Sequence, residues 1–249
     1  MLTQERYQTI LQLLNERDAV TVAELSALLG ISESTIRRDL NNLAEMGKLN
    51  KVFGGATAIH STAGVTETSF EVRETEMSEE KTAIARYAAT LVLDGDFVFI
   101  DAGTTTYRLI DFLSNTRASY ITNGVAHARK LIRRGFDTYI IPGRIKPVTE
   151  AIIGATGIGM ISRFNFTKAF VGTNGIDLKT GFTTTEINEG LVKEAIVNHS
   201  YMSFVLADRS KFRRVFPVSF AELKKCCIIT DAVPDSKFSE ATVIKEVTK

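Results

Sequence analysis

The 249-residue sequence has no tryptophan, four prolines and two cysteines, and its charges nearly cancel at 30 Lys and Arg against 29 Asp and Glu. Each shortage excludes something. The thiols Cys226 and Cys227 are adjacent in a strand-like run. They therefore face opposite sides and make a poor disulfide, so two buried free thiols are expected. No apolar run approaches the roughly 20 residues of a membrane helix, and the richest, AIIGATGIGMI, is broken by glycine. The opening MLTQERYQTILQLLNERDAV carries charges inside its apolar pattern and does not read as a signal peptide, which predicts a cytoplasmic chain with no membrane partner. His60, His127 and His199 are scattered, the first in a polar linker and the others on helix surfaces. No metal site, no nucleophile–histidine pair and no cofactor is therefore expected. There is no GxxxxGK loop, and GATGIG at 154–159 lacks the dinucleotide-binding spacing. With a net charge of +1, any nucleic-acid binding must come from a local surface.

The first sixty residues supply such a surface. Tyr7, Ile10, Leu11 and Leu14 repeat at helical spacing and predict a helix from Thr3 to Glu16. Thr21 with Glu24 forms a capping box for a second helix, whose apolar face is Val22, Leu25, Leu28 and Leu29 and whose stop is Gly30. Ser32 is placed to cap a third helix, from about Glu33 to Met46. With Ile36 at zero and about 100° per residue, Leu40 and Leu43 share its stripe, while Ser34, Arg38 and Asn41 fall near 160°, 200° and 140°. Arg37 lies on the flank. Short hydrogen-bonding and basic side chains on an exposed helix face are what reading DNA bases and phosphates needs. Leu49–Phe53 and Ala56–Ile59 can pair across Gly54-Gly55 as a wing, with Lys48 and Lys51 placed to meet phosphate. The competing reading is a small helical domain for protein contact. The counts favour it, with six basic against seven acidic residues in 1–59, but four of the six bases fall between 37 and 51.

Residues 60–78 lack a clear period and read as a linker, leaving 79–249 as a second domain. There, helix-like stretches alternate with fully apolar strands, FVFI, SYIT, TYII, AFVG, SFVLA and finally CCIIT, which predicts a parallel sheet covered on both faces. The overall class is α/β. The strands run into Asp101, Thr122-Asn123, Pro142-Gly143, Gly172, Asp208 and Thr230-Asp231, at the ends where parallel sheets bind ligands. Gly103 permits an unusual turn, and Thr104, Thr105 and Thr106 open a helix whose N–H groups and hydroxyls can converge on a phosphate. Ordinary N-capping is the bland reading of that triplet. Asp208 and Lys211 directly follow a strand and are further candidates. Lys193, within a helix after FTTTEINEG, is expected to be solvated, and Glu186 and Glu189 face either the same pocket or solvent.

The motifs in order resemble the DeoR family of bacterial transcription regulators over nearly the whole chain. SESTIRRDL is the most specific part of the N-terminal match, and DAGTTT, TNG, AFVGTNGID, GFTTTE, LVKEA, LADRSKF and IITD carry the remainder. The resemblance implies a winged helix-turn-helix followed by a Rossmann-like sensor domain similar to ribose-5-phosphate isomerase, acting without catalysis. It implies that Ser32 to Leu40, including Thr35, reads operator DNA, with Arg37 and Arg38 the main contacts. It implies an effector pocket of Asp101, Gly103, Thr104, Thr105, Thr122, Asn123, Lys193, Asp208 and Lys211, with Thr106 and Gly143 beside them. The family pattern has arginine and histidine at Lys51 and Phe53, and often a second glycine at Pro142. Likeness to repressors of fructose and lactose operons implies a homo-oligomeric repressor, dimer or tetramer, released by a phosphorylated sugar, fructose 1-phosphate being the first candidate. Two other readings stand beside it: an isomerase with Asp101, Glu189 or Asp208 as base, and a DNA-binding protein whose second domain only assembles an oligomer.

Overall fold

The computed structural model describes residues 3–17, 19–57, 70–114 and 117–248. The chain divides into two compact units, Met1–His60 and Ser61–Lys249.

In the first unit, α1 (Thr3–Arg17) leads into β1 (Ala19–Thr21), α2 (Val22–Leu29), α3 (Glu33–Glu45), β2 (Asn50–Val52) and β3 (Gly55–Thr57). The capping box forms, with Thr21 N donating to Glu24 Oε2 at 2.8 Å and Glu24 N to Thr21 Oγ1 at 3.1 Å. Gly30 closes α2 in the left-handed region at φ 65°. Ile10, Leu14, Val22, Leu25, Ile36, Leu40 and Leu43 meet in one core. Leu28, expected among them, is 56% exposed; the stripe through Val22, Leu25 and Leu29 leaves it on the flank. Ser32 occupies the N-cap position of α3 without a side-chain cap, its hydroxyl lying against Ser34 Oγ and Thr35 Oγ1 instead.

The wing is a hairpin, and β3 pairs antiparallel with both β1 and β2. Its turn is Phe53-Gly54, with Gly54 at φ 79°, one residue earlier than the Gly54-Gly55 turn expected. Gly55 already belongs to β3, and a Cβ there would stand 2.2 Å from Val20 O, so the third strand fits only against glycine. Ile59 lies outside the described residues.

The second unit begins, among the described residues, with α4 (Phe70–Thr75). This corrects part of the linker reading; residues 60–69 lie outside the described residues. A six-residue helix has little stability of its own, and α4 is held by tertiary contacts. The Phe70 ring packs edge-on to Tyr107 at 5.4 Å, Arg108 Nη2 donates to Glu74 O at 2.9 Å, and the Lys81 ammonium donates to Arg73 O. There follow α5 (Ser78–Thr90), β4 (Phe97–Ile100), α6 (Thr104–Phe112), β5 (Ser119–Thr122), α7 (Val125–Arg133), β6 (Asp137–Ile140), β7 (Arg144–Ile145), β8 (Ile152–Ile153), α8 (Ala155–Ile161), β9 (Phe166–Gly172), β10 (Gly175–Asp177), β11 (Gly181–Thr184), α9 (Ile187–Asn198), β12 (Ser200–Leu206), β13 (Val218–Ala221), β14 (Cys227–Thr230), α10 (Ser236–Ala241) and β15 (Ile244–Glu246).

Seven strands form one parallel sheet in the order β15-β14-β12-β9-β4-β5-β6. Alternate residues feed two cores: Val98, Ile100 and Tyr120 pack with α5 and α6, and Phe99, Ile121 and Val171 with α9. The last strand is β15 rather than CCIIT, because IKE is short and polar and adds only at the sheet edge. An antiparallel sheet β10-β11-β13 and the hairpin β7-β8 were also not expected. Cys226 is buried and Cys227 half-buried, both free; burial pushes the Cys226 thiol up to about 12. From β4 the chain moves outward to β5 and β6, then returns to β9 on the other side of β4. Such a reversal opens a crevice at the carboxyl ends of the two central strands.

Candidate functional site

On the first unit, Ser34, Arg37, Arg38, Asn41, Lys48 and Lys51 are exposed, and Thr35 is half-buried. The face expected to meet DNA is therefore available. Arg37 pairs with Glu33 one turn away at 2.8 Å, an exposed bridge that a phosphate can replace at little cost. Asp39, counted against DNA binding, points inward: its carboxylate takes Arg6 Nε at 2.5 Å and Nη2 at 2.9 Å and is 1% exposed. That pair ties α1 to α3. Burying a carboxylate of α3 against Arg6 leaves the outer face of that helix more positive than the residue count implies. Phe53 is fully exposed at the wing tip, between Lys51 and the turn glycine.

In the second unit, a cleft enclosing about 590 Å³, its open mouth included, lies at the switch point. Gly103, Thr104, Thr105 and Thr106 form one wall at the start of α6. Gly103 occupies the N-cap position and has no side chain to cap with, so the first N–H groups of the helix are open to a ligand. Among the described residues, the hydroxyls of Thr104 and Thr105 have no hydrogen-bond partner. Thr106 differs: its hydroxyl donates to Asp101 O at 2.6 Å and fixes the turn. Lys193 and Lys211 also line the cleft.

Several expected residues stand behind this wall rather than in it. Asp101 is buried at the end of β4, where it pairs with the Lys193 ammonium and accepts from Gly172 N at 3.0 Å and Asn123 Nδ2 at 3.2 Å. Asn123 Oδ1 accepts from Ala102 N at 2.7 Å. Together they bind the ends of β4, β5 and β9 and aim Lys193. Thr122 Oγ1 accepts from Gly124 N at 3.0 Å and shapes the next turn. Asp208 Oδ1 accepts from Ser210 N at 3.0 Å and holds the turn that carries Lys211; its other oxygen is buried without a hydrogen bond among the described residues. Gly143 is away from the cleft. Its φ is 154°, and a Cβ would stand 2.6 Å from Ile153 O, so glycine is needed there for strand packing.

The sequence reading missed cleft residues as well. Arg73 from α4 lines it, with Nε and Nη2 buried and without hydrogen bonds. Lys81 lines it from α5 and is 3% exposed. Burial pushes its ammonium down to about 8; Asp208 opposes that shift and Lys211 adds to it. A signal existed, since Lys81, Ile84, Ala85 and Ala88 share one buried stripe, and a lysine in such a stripe needs a reason. Thr173 and Asn174 also line it, as does Glu189, which sits beside Lys146 at 3.4 Å. His127 is buried, not on a helix surface. Its Nε2 lies 3.0 Å from Gly103 O and 3.3 Å from Thr106 Oγ1, beneath the turn that opens α6. Burial pushes the imidazole down to about 4, so it is neutral at physiological pH. His199 is half-buried at the end of α9, and His60 lies outside the described residues. Among the described residues there is no cluster of three or more metal-ligating side chains and no helix long and apolar enough to cross a membrane.

Residues 6–62 match the DeoR-like helix-turn-helix domain and residues 76–232 the DeoR C terminal sensor domain. The chain is 38% identical over 251 residues to the uncharacterized HTH-type transcriptional regulator FruR of Bacillus subtilis, covering 99% of each. It is 33% identical over 232 residues to the lactose phosphotransferase system repressor of Staphylococcus epidermidis, covering 91% of each. A ribose 5-phosphate isomerase A from Methanocaldococcus jannaschii aligns over 54% of each chain at 15% identity with a TM-score of 0.41, so the chain spans about half the length of that structure. The exposed basic face of α3, the wing and the two domain matches together place this chain in the DeoR family of helix-turn-helix transcriptional regulators.

Proposed function

We propose that this regulator represses a sugar-utilisation operon in the cytoplasm and leaves its operator when a phosphorylated sugar fills the cleft of the second unit. The observation that carries the reading is the charge of that cleft. Lys193 is offset by Asp101 and Glu189 by Lys146, which leaves Arg73, Lys81 and Lys211 in the lining and one nearby carboxylate, Asp208, whose charge acts on Lys81. The excess is two positive charges, and a phosphate monoester near pH 7 carries about −1.5 to −2. The open N–H groups of α6 and the hydroxyls of Thr104 and Thr105 supply directional donors to the same dianion. Arg73, with buried and unsatisfied donors, gains most from it. The regulator acts as a homo-oligomer, because two recognition helices about one DNA turn apart read a two-fold operator. Ser32, Ser34, Thr35, Arg37, Arg38, Asn41, Lys48 and Lys51 contact the DNA. A ligand that changes operator affinity about 5–150-fold needs a coupling of about 1–3 kcal/mol.

The test is fluorescence anisotropy of the full chain on DNA from upstream of its own operon, at fixed salt, with a panel of hexose and pentose phosphates led by fructose 1-phosphate. Tight binding released by one member supports the proposal. Tight binding indifferent to every member refutes the effector role. Interconversion of aldose and ketose phosphates by the protein would refute the sensor reading in favour of catalysis.

A further inference from the structure

Glu189 is out of place in a cleft built for a dianion. It lies on the first turn of α9, is 8% exposed, and lines the same space as Arg73, Lys81 and Lys211. A carboxylate there repels phosphate. Lys146, 3.4 Å away on the segment after β7, offsets its charge, which holds a carboxylate at the wall instead of avoiding one. Its job must therefore concern a part of the ligand that donates hydrogen bonds.

A second polar group stands beside it. Asn174, between β9 and β10, accepts from Thr184 Oγ1 at 2.9 Å, and that same hydroxyl lies 3.5 Å from Glu189 Oε2. Thr184 is buried on β11, and its hydroxyl lies between the two side chains. Asn174 lines the cleft, its oxygen is taken by Thr184, and among the described residues its amide nitrogen has no hydrogen-bond partner and stays available as a donor. The result is an acceptor and a donor side by side on the wall formed by the segment before β10 and by α9, whereas the wall at α6 presents N–H groups and hydroxyls and no carboxylate. A sugar hydroxyl both donates and accepts, and a carboxylate has about four lone-pair sites, enough for a hydroxyl besides its protein partners.

We propose that Glu189 and Asn174 are the specificity-determining pair of the cleft, reading hydroxyl groups of the ligand carbon chain while α6, Lys81 and Lys211 hold its phosphate. The inference rests on the phosphate-binding reading above and names the ligand class: a polyhydroxylated phosphomonoester long enough to reach both walls. A site built to hydrogen-bond a hydroxyl discriminates strongly against ligands that lack it, because its polar groups are then left unpaired.

The experiment is calorimetric titration of the full-length protein with inorganic phosphate, glycerol 3-phosphate, fructose 1-phosphate, fructose 6-phosphate and galactose 6-phosphate. Wild type is compared with Glu189→Gln, Asn174→Ser and Lys211→Ala, each checked for an unchanged melting temperature. The proposal expects Glu189→Gln and Asn174→Ser to weaken the preferred hexose phosphate by about tenfold to a hundredfold, with inorganic phosphate unchanged or tighter in Glu189→Gln. Lys211→Ala should weaken all ligands together. Equal losses for inorganic and sugar phosphates in Glu189→Gln would overturn it, as would undiminished hexose phosphate binding in both variants. If Glu189→Gln does not fold, Asn174→Ser carries the same test. Wild type that binds none of the five would overturn the phosphate reading itself, and this inference with it.

Discussion

The buried lysine of the cleft gives the ligand affinity a pH dependence that can be worked out in advance. Lys81 has its ammonium pushed by burial from 10.5 to about 8. A bound phosphate dianion beside it stabilises the charged form and returns its pKa toward the ordinary value, so binding takes up a proton once the pH exceeds about 8. The sign follows: affinity for the dianion is flat just below pH 8 and falls above it. With 8 in the free protein and 10.5 as the upper limit in the complex, the loss is about 30-fold at pH 9.5 and levels off near 300-fold. On the acid side affinity falls below about pH 6 for a different reason, the second ionisation of the phosphate. Titration calorimetry with fructose 1-phosphate from pH 7 to 10 measures the alkaline limb. Lys81→Arg keeps the charge at every pH in that range, because a guanidinium stays protonated, and should abolish the limb while retaining binding. A flat wild-type profile would refute contact between Lys81 and the phosphate. An alkaline limb that survives Lys81→Arg would assign it to another group.

Three further outcomes follow from the geometry. Lys193→Met leaves the Asp101 carboxylate buried without its cation, which should cost the second unit about 3–5 kcal/mol in chemical denaturation and leave the melting of the first unit unchanged. Arg38→Ala should weaken operator binding by about tenfold to a hundredfold and, if its partner is a phosphate, lower the slope of log affinity against log salt by about one, with calorimetric sugar-phosphate binding intact. His127, neutral because burial holds its pKa near 4, is protonated more readily in the unfolded chain; its contribution to stability is complete above pH 6.5 and is lost as pH falls toward 4, so NMR should show its ring shifts constant from pH 8 to 5.

The helices and central strands were legible in the sequence because period and punctuation agree. Thr21 with Glu24, Gly30, and the stripe Ile36, Leu40, Leu43 define the helix-turn-helix from local chemistry alone. Apolar runs of four or five residues leading to Asp101, Gly172 and Asp208 likewise revealed a parallel sheet and the end at which its cleft lies. What sequence reasoning lacked was strand order. Nothing local says that β9 returns to the side of β4 away from β5, yet that placement brings Gly172 to Asp101 and makes Lys193 a buried partner instead of a solvated one. It also hid α4, whose six residues carry no period and are helical because Tyr107, Arg108 and Lys81 hold them.

The same limit explains which candidate residues changed roles. Residues at strand ends were expected to touch ligand, but Asp101, Thr122 and Asn123 use their polar atoms on backbone N–H groups and on neighbouring side chains, and Asp208 uses one of its two oxygens so. Strand ends in a parallel sheet are where the chain turns, and turning leaves donors that must be satisfied inside the protein before any ligand is served. The groups left facing the cleft are those one layer outward: the first turn of α6, and side chains from α4, α5, the segment before β10, the turn after Asp208, and α9. On the proposal made above, the phosphate grip and the hydroxyl wall of the cleft come from different elements. That proposal therefore predicts that a change of preferred sugar, measured by calorimetric titration, needs substitutions only on the wall that holds Asn174 and Glu189, while the turn at Gly103–Thr106 can stay as it is.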